Sequence, residues 1–97
     1  MTYSGKIILV STSAYVPERD YPFLQDLISA RIVLFCATGV GANGWEDALD
    51  WGCAGDDGRG EHRIVTTSHE DEPLAEVVKF AEQFSTSSQD TPQIIRR

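Results

Sequence analysis

The sequence predicts one small α/β domain in which three strands alternate with three helices. Three short runs rich in β-branched residues predict strands: KIILVST (6–12), RIVLFCAT (31–38) and HRIVTTS (62–68). Each run is followed by a segment with helical features, and this alternation favours a parallel sheet covered by helices. The 97 residues, 41% of them hydrophobic, suffice for one compact core. We therefore expect a single β-α-β-α-β-α domain over residues 1–84, with a three-stranded parallel sheet in the order 2-1-3.

The first two strands are apolar almost without alternation, which is typical of strands buried on both faces. Between them, VPERDYPFLQDLISA (16–30) has apolar residues at helical spacing and predicts a helix with Pro22 in its first turn. WEDALDW (45–51) predicts a short second helix that begins with two acids. The glycine-rich segment after it (52–62) predicts an exposed loop.

The third helix has the clearest pattern. Its apolar stripe consists of Leu74, Val77, Val78, Ala81 and Phe84. From Ser85 onward the sequence lacks periodicity, so we expect residues 85–97 to form a flexible C-terminal tail.

Acidic residues are concentrated in the second half of the chain. The formal net charge is −7, and residues 46–82 contain eleven acids against three bases, which leaves the other residues at +1. Direct nucleic-acid binding is disfavoured, because it requires a basic surface, whereas a basic protein partner is favoured. The acids can equally serve only to keep a small protein in solution. No apolar run approaches the roughly 18 residues of a membrane span, so no membrane contact is expected.

The two cysteines predict neither a disulfide framework nor a metal cluster. Cys36 lies inside an apolar run and is expected to be a small buried hydrophobic residue, while Cys53 lies beside glycine in the predicted loop. This use of cysteine fits a reducing cytoplasm.

The predicted topology places the carboxyl ends of all three strands at one edge, where open α/β sheets bind ligands. The segments expected there are residues 11–13, 38–44 and 66–72. One of them, GVGANG, matches the dinucleotide pattern G-x-G-x-x-G with Gly39, Gly41 and Gly44. Against nucleotide binding, the expected helix begins with acids that repel phosphate, and the ribose-binding acid is missing. The alternative is a turn that requires glycine.

WEDALDW offers a second candidate, because Asp47 and Asp50 stand three residues apart and such carboxylates can hold a divalent cation. The alternative is a helix whose first turn carries acids because the helix dipole favours them there. Trp45 and Trp51 are either packing residues or interface anchors.

The segment SHEDEP is the strongest local signal. Asp71 or Glu72 can cap a helix that has Pro73 in its first turn, so these residues are explained without chemistry. His69 and Glu70 fall at the turn from strand to helix, where a histidine beside a carboxylate can act as a general base or a ligand. They are the catalytic candidates, and the nucleophile would be a nearby serine or cysteine.

At this point the sequence resembles a family of small bacterial proteins, a domain of unknown function. The family motif is a strand that runs into T-T-x-H-E-D-E-P-L and an acidic amphipathic helix, present here as TTSHEDEPL at Thr66–Leu74. A second similarity is the step Trp45-Glu46-Asp47. The resemblance implies an α/β fold and a bacterial cytoplasmic origin, and it assigns no role to His69 or Glu70. GVGANG is not a feature of that family.

The sequence therefore favours a binding protein of the immunity or inhibitor type over an enzyme, without a cofactor or a metal. We expect a basic protein partner, and the sequence leaves the oligomeric state open. The alternative is a small-molecule, nucleotide or metal site at the strand edge that uses His69 and Glu70. The expected partner-binding residues are Trp45, Glu46, Asp47, Asp50, His69, Glu70 and Asp71.

Overall fold

A computed structural model of the protein describes residues 3–54, 64–84 and 91–97, without the side chains of residues 52–54. The α/β class is confirmed, and the described residues contain three helices and a parallel sheet. In chain order the elements are β1 (Lys6–Ser11), α1 (Pro17–Ser29), β2 (Leu34–Gly39), α2 (Ala42–Ala54), β3 (Val65–His69), α3 (Leu74–Gln83) and β4 (Gln93–Arg96).

The sheet has four strands in the order β3-β2-β1-β4, so the prediction of three strands ordered 2-1-3 was wrong. β3 pairs with β2, with His69 opposite Thr38, and not with β1. The free side of β1 is occupied by β4, with Ile8 opposite Ile94. β4 lies within the segment expected to be a tail. Four residues are too few to show a periodic pattern, and only the edge of β1 makes them a strand.

The sheet separates two apolar clusters, because successive side chains of a strand point to opposite faces. Ile7 and Leu9 of β1 pack with α1 and α2, whereas Ile8 packs with α3. β2 alternates in the same way, with Phe35 on the first side and Cys36 on the second. The expectation that these two strands are buried on both faces is confirmed, and so is the burial of Cys36.

The helix limits differ from the predicted ones. Pro17 occupies the first turn of α1, and Pro22 lies inside that helix. α2 begins at Ala42, directly after Gly41, whose φ of +64° turns the chain. Glu46 and Asp47 are therefore not in the first turn, and Gly52–Ala54 are helical and not part of a loop.

α3 and β2 also begin at residues other than the predicted ones. α3 starts at Leu74 with Pro73 at the N-cap and no side-chain cap, so neither Asp71 nor Glu72 caps the helix and Pro73 is not in its first turn. β2 begins three residues later than predicted, because Arg31 has a φ of +59° and lies in a turn. Residues 55–62 of the predicted glycine-rich loop lie outside the described residues.

A buried aspartate links β4 to α1. The Asp20 carboxylate is fully buried and accepts hydrogen bonds from Arg19 Nη2 (2.7 Å) and from Arg97 Nη2 (3.0 Å). The Val16 N–H donates to the same carboxylate at 2.9 Å. The Arg97 guanidinium also lies over the Phe23 ring, 4.4 Å from its centroid. The final residue is thus fixed by its side chain as well as by backbone pairing.

Candidate functional site

The carboxyl ends of all four strands lie at one edge of the sheet, because all three strand pairings are parallel. β1 ends at Ser11, β2 at Gly39 and β3 at His69. The expected segments 11–13, 38–44 and 66–72 are therefore close to one another along this edge. Their side chains form three separate sets of contacts.

The first set is a buried cluster around Trp45. The indole is fully buried, and its Nε1–H donates to Ser11 Oγ at 2.9 Å. Tyr15 and Phe23 meet the ring edge-on, at centroid distances of 5.2 and 6.4 Å. Trp45 is consequently a core residue with a satisfied polar group, and it cannot contact a partner. The exposed tryptophan of α2 is Trp51, with 81% of its surface accessible.

The glycines of GVGANG accommodate the chain itself. Gly39 has a φ of +94°, and a Cβ there would lie 2.4 Å from the Ser11 carbonyl oxygen. A Cβ at Gly41 would lie 3.1 Å from Cα of Ala14. Gly44 lies in α2, and a Cβ there would meet nothing within 4 Å. Close approach of the chain after β1 explains the first two glycines, and this favours the turn over a nucleotide cradle.

The second set joins α2 to β3 and the turn after it. Asn43, in the first turn of α2, donates from Nδ2 to Glu70 Oε1 at 2.6 Å and accepts a hydrogen bond from Ser68 Oγ. About two helical turns further on, Asp50 Oδ1 accepts from Thr66 Oγ1 at 2.7 Å. These bonds hold the carboxylates of Asp50 and Glu70 against the α2 side of β3.

The pKa of Glu46 responds to its burial and to the acidic side chains near it. Partial burial, together with the nearby carboxylate of Asp50, raises the pKa of Glu46, and Asp47 acts in the same direction. Hydrogen bonding to Ser68 and the proximity of His69 lower it by less. Burial contributes most to the raised pKa of Glu46, and only the smaller part that comes from Asp50 and Asp47 reflects repulsion among carboxylates.

The third set is centred on His69, on the α3 side of the sheet. The ring is 9% exposed, and its Nε2 lies 2.8 Å from Thr67 Oγ1 while Nδ1 lies 3.0 Å from Glu72 Oε1. The Phe80 ring packs against the imidazole at a centroid distance of 5.1 Å. The His69 carbonyl oxygen accepts from Thr38 Oγ1 at 2.9 Å. Side chain and backbone of His69 are therefore both held.

The structure does not pair His69 with Glu70. His69 bonds to Glu72, three residues further on, whereas Glu70 bonds to Asn43 of α2. Glu72, which the sequence explains as part of a helix start, is the carboxylate that contacts the histidine. Asp71 is exposed in the turn.

Sequence reasoning missed Thr67, Asn43 and the exposure of Trp51. Thr67 and His69 stand two residues apart in a strand, a spacing that places both side chains on one face. The two-residue spacing could therefore have predicted that Thr67 and His69 lie side by side. Asn43 gave no signal, because its partners come from a distant part of the chain.

One comparison with known proteins gives a match. A family model described as "Domain of unknown function (DUF7684)" matches residues 2–94. The chain belongs to this family. The match spans β1 to α3 completely and reaches the first two residues of β4. No curated protein and no solved structure matches significantly.

The described residues of this DUF7684 chain bear on two features, a metal site and a membrane-spanning helix. In residues 3–54, 64–84 and 91–97, no three histidine, cysteine or acidic side chains are grouped so that they could hold a metal ion. Over the same ranges, no helix combines the length and the apolar character that crossing a membrane requires. The side chain of Cys53, in α2, lies outside the described residues.

Proposed function

We propose that the protein binds a basic protein partner, in the manner of an immunity or inhibitor protein, through one acidic face. We define the acidic face by Glu46, Asp47, Asp50 and Trp51 of α2 together with Glu70 of the turn after β3. The observation that carries the proposal is the exposure of Trp51, 81% accessible, among exposed carboxylates.

The α2 members of the face share one side of the helix. Asp47, Asp50 and Trp51 are separated by three and four residues, which places them next to one another on a helix surface. The opposite side of α2 is occupied by Trp45 and Leu49, both fully buried. The exposed side of α2 is thus available for contact, and the buried side fixes its orientation.

An exposed indole surrounded by acids suits a basic partner for two reasons. Burial of a tryptophan at an interface provides one of the largest single contributions to affinity. The carboxylates attract a cationic surface and accelerate association, and they exclude acidic competitors. The raised pKa of Glu46 supports this reading, because an arriving cation relieves the repulsion among Glu46, Asp50 and Asp47.

Glu70 extends the face beyond the helix. Its carboxylate is held at 2.6 Å by Asn43 Nδ2, so it is ordered before any partner arrives. An interface of ordered side chains loses less conformational entropy on binding. His69, expected in the partner surface from sequence, is almost fully buried and is not part of the proposed face.

The test compares two double substitutions that change the net charge equally. A partner captured from cells that naturally contain the protein is measured against wild type, Asp47→Asn/Asp50→Asn and Glu76→Gln/Glu82→Gln. Glu76 and Glu82 are exposed on α3, on the other side of the sheet. We expect the α2 substitutions to weaken binding at least about tenfold and the α3 substitutions to have little effect.

Trp51→Ala is expected to weaken binding by about 30-fold or more, corresponding to a loss of about 2 kcal/mol at a hot spot. Association should slow as salt rises from about 10 to 150 mM, because salt screens exposed charges. Equal effects of the two double substitutions, or an affinity indifferent to Trp51, would show that the partner binds elsewhere.

A further inference from the structure

The His69 cluster has the hydrogen-bond order of a nucleophile, a base and a carboxylate. Thr67 Oγ1 lies 2.8 Å from His69 Nε2, and His69 Nδ1 lies 3.0 Å from Glu72 Oε1. If Nδ1 carries the proton, it donates to the carboxylate, and Nε2 is left to accept the proton of the threonine hydroxyl. The same order defines triads on unrelated folds, where it is recognised by geometry and not by sequence position.

Several contacts hold this arrangement in place. The imidazole packs against Phe80, and the His69 carbonyl is bound by Thr38, so the ring has little freedom to turn away. Burial raises the pKa of the Cys36 thiol, and a hydrogen bond from Thr67 acts in the opposite direction. The Thr67 hydroxyl therefore has two acceptors beside it, and of these the sulfur of Cys36 is the weaker acceptor and His69 Nε2 the stronger one.

Thr67 lies on an edge strand of the sheet that the described residues form. α3 packs over β1 and β2, in the cluster formed with Ile8, Leu34 and Cys36. β3 is the outer strand on this side of the sheet, and Thr67 is only half-buried. Val65, two residues away on the same face, is 41% exposed and offers an apolar contact for an acyl chain.

We infer that Thr67, His69 and Glu72 form an acyl-transfer site for small carboxylic esters without negative charge. Thr67 is the nucleophile, His69 is the base, and Glu72 is a positioning residue that orients the imidazole. The exposed carboxylate of Asp71 in the adjoining turn disfavours anionic esters. This site lies on the α3 side of β3 and is independent of the acidic face on α2.

The reaction has two balanced steps. Thr67 Oγ attacks the carbonyl carbon, its proton passes to His69 Nε2, and the bond between that carbon and the leaving oxygen breaks as the alcohol takes the proton. Water then attacks the acyl-threonine ester and gives a proton to His69. The acid leaves, and the proton returns to Thr67 Oγ. The amide of Ser68 can stabilise the developing oxyanion, since alternation in β3 directs it away from β2.

The experiment uses p-nitrophenyl acetate with the full-length chain, measuring release of p-nitrophenolate and mapping the acetylated residue by mass spectrometry. We expect acetylation of Thr67 and a rate about 100-fold or more lower in His69→Gln, the typical contribution of a general base. Thr67→Val should abolish the acetylation, and Thr67→Ser should retain it. Thr66→Val is the matched control, a half-buried threonine on the opposite face of the same strand.

Glu72→Gln distinguishes positioning from mere structural support. It should lower kcat and leave KM nearly unchanged, because the carboxylate orients the base and does not touch the ester. Should Thr67→Val fail to fold by circular dichroism, the site of acetylation in wild type and the activity of Thr67→Ser decide the question. Absence of acetylation in folded wild type, or acetylation only at other residues, would overturn the inference.

Discussion

At the scale of single residues, Asp20 is a fully buried carboxylate that forms ion pairs with Arg19 and Arg97. The carboxylate is fully buried, and hydrogen bonding to Arg19 holds its pKa well below the ordinary range. Val16 N–H and Arg97 act in the same direction, and desolvation opposes them. The result is an ion-pair set that ties the end of the chain to α1.

Asp20→Asn should lower the free energy of unfolding by about 2–3 kcal/mol at pH 7, measured by urea denaturation. Removing one partner of a buried pair typically costs about 3–5 kcal/mol. The expected loss of stability is smaller here because the Arg19 and Arg97 side chains are 49% and 29% exposed, so water can solvate their charges when the carboxylate is removed. Asp26→Asn, at an exposed position of the same helix, should change stability by less than about 0.5 kcal/mol.

Asp20→Asn should also remove part of the pH dependence of the free energy of unfolding. The pKa of Asp20 is lower in the folded than in the unfolded chain, so its contribution is complete above the unfolded value of about 3.9. The contribution is lost as the pH falls toward the folded pKa. Wild type and Asp20→Asn should therefore converge in stability below about pH 4. A difference that stays constant down to pH 2 would contradict the assignment.

At the scale of elements, the end of α3 depends on one buried lysine of the sheet. Lys6 Nζ donates to the carbonyl oxygens of Ala81 (3.0 Å) and of the C-cap residue Phe84 (3.1 Å), and the Ala81 carbonyl also accepts from the Phe84 N–H at 3.3 Å. Lysine at a helix C-terminus also interacts favourably with the helix dipole.

Lys6→Met should therefore destabilise the protein by about 1–3 kcal/mol, because both carbonyls lose their charged donor and only that of Ala81 keeps a second one. Amide hydrogen exchange should accelerate most in the last turn of α3. Lys79→Met, an exposed lysine of the same helix, serves as the control and should leave both measurements nearly unchanged. Uniform acceleration across the sheet would show a general rather than a local role for Lys6.

The GVGANG segment can be tested by replacing its glycines separately. Gly39→Ala should cost more than about 1 kcal/mol, because its φ is positive and the new Cβ would lie 2.4 Å from a backbone oxygen. Gly44→Ala should stabilise by about 0.5–1 kcal/mol, since that position is inside a helix with open space around it. Thermal or urea unfolding measures both. Similar effects at the two positions would contradict the distinction.

The elements also show where the sequence was sufficient. The alternation of strands and helices, the double burial of β1 and β2, and the stripe of α3 were predicted because their periodic patterns are long and local. β4 was missed because its four residues carry no pattern. The start of α2 was misplaced because Gly41 sets it through backbone conformation.

At the scale of the whole molecule, residues 46–82 carry a charge of −8 and the other residues sum to +1, which gives the net charge of −7. Raising NaCl from about 10 to 150 mM at pH 7 should stabilise the fold by on the order of 0.5 kcal/mol, because it screens this repulsion. Asp47→Asn/Asp50→Asn, which changes the net charge from −7 to −5, should respond less. Urea unfolding at each salt concentration provides the measurement. Destabilisation by salt would mean that surface ion pairs outweigh the repulsion.

The sequence by itself determined the α/β class, the acidic character and the position of the His69 turn at the carboxyl edge of the sheet. These properties follow from composition and from periodic patterns, which are local. Only the tertiary structure decided which tryptophan is exposed, which carboxylate meets His69, and which strand completes the sheet. Trp45 and Trp51 flank the same acids in sequence, and Glu70 and Glu72 are two residues apart. Their roles differ because contacts from distant segments (Ser11, Asn43 and the edge of β1) select among locally equivalent candidates.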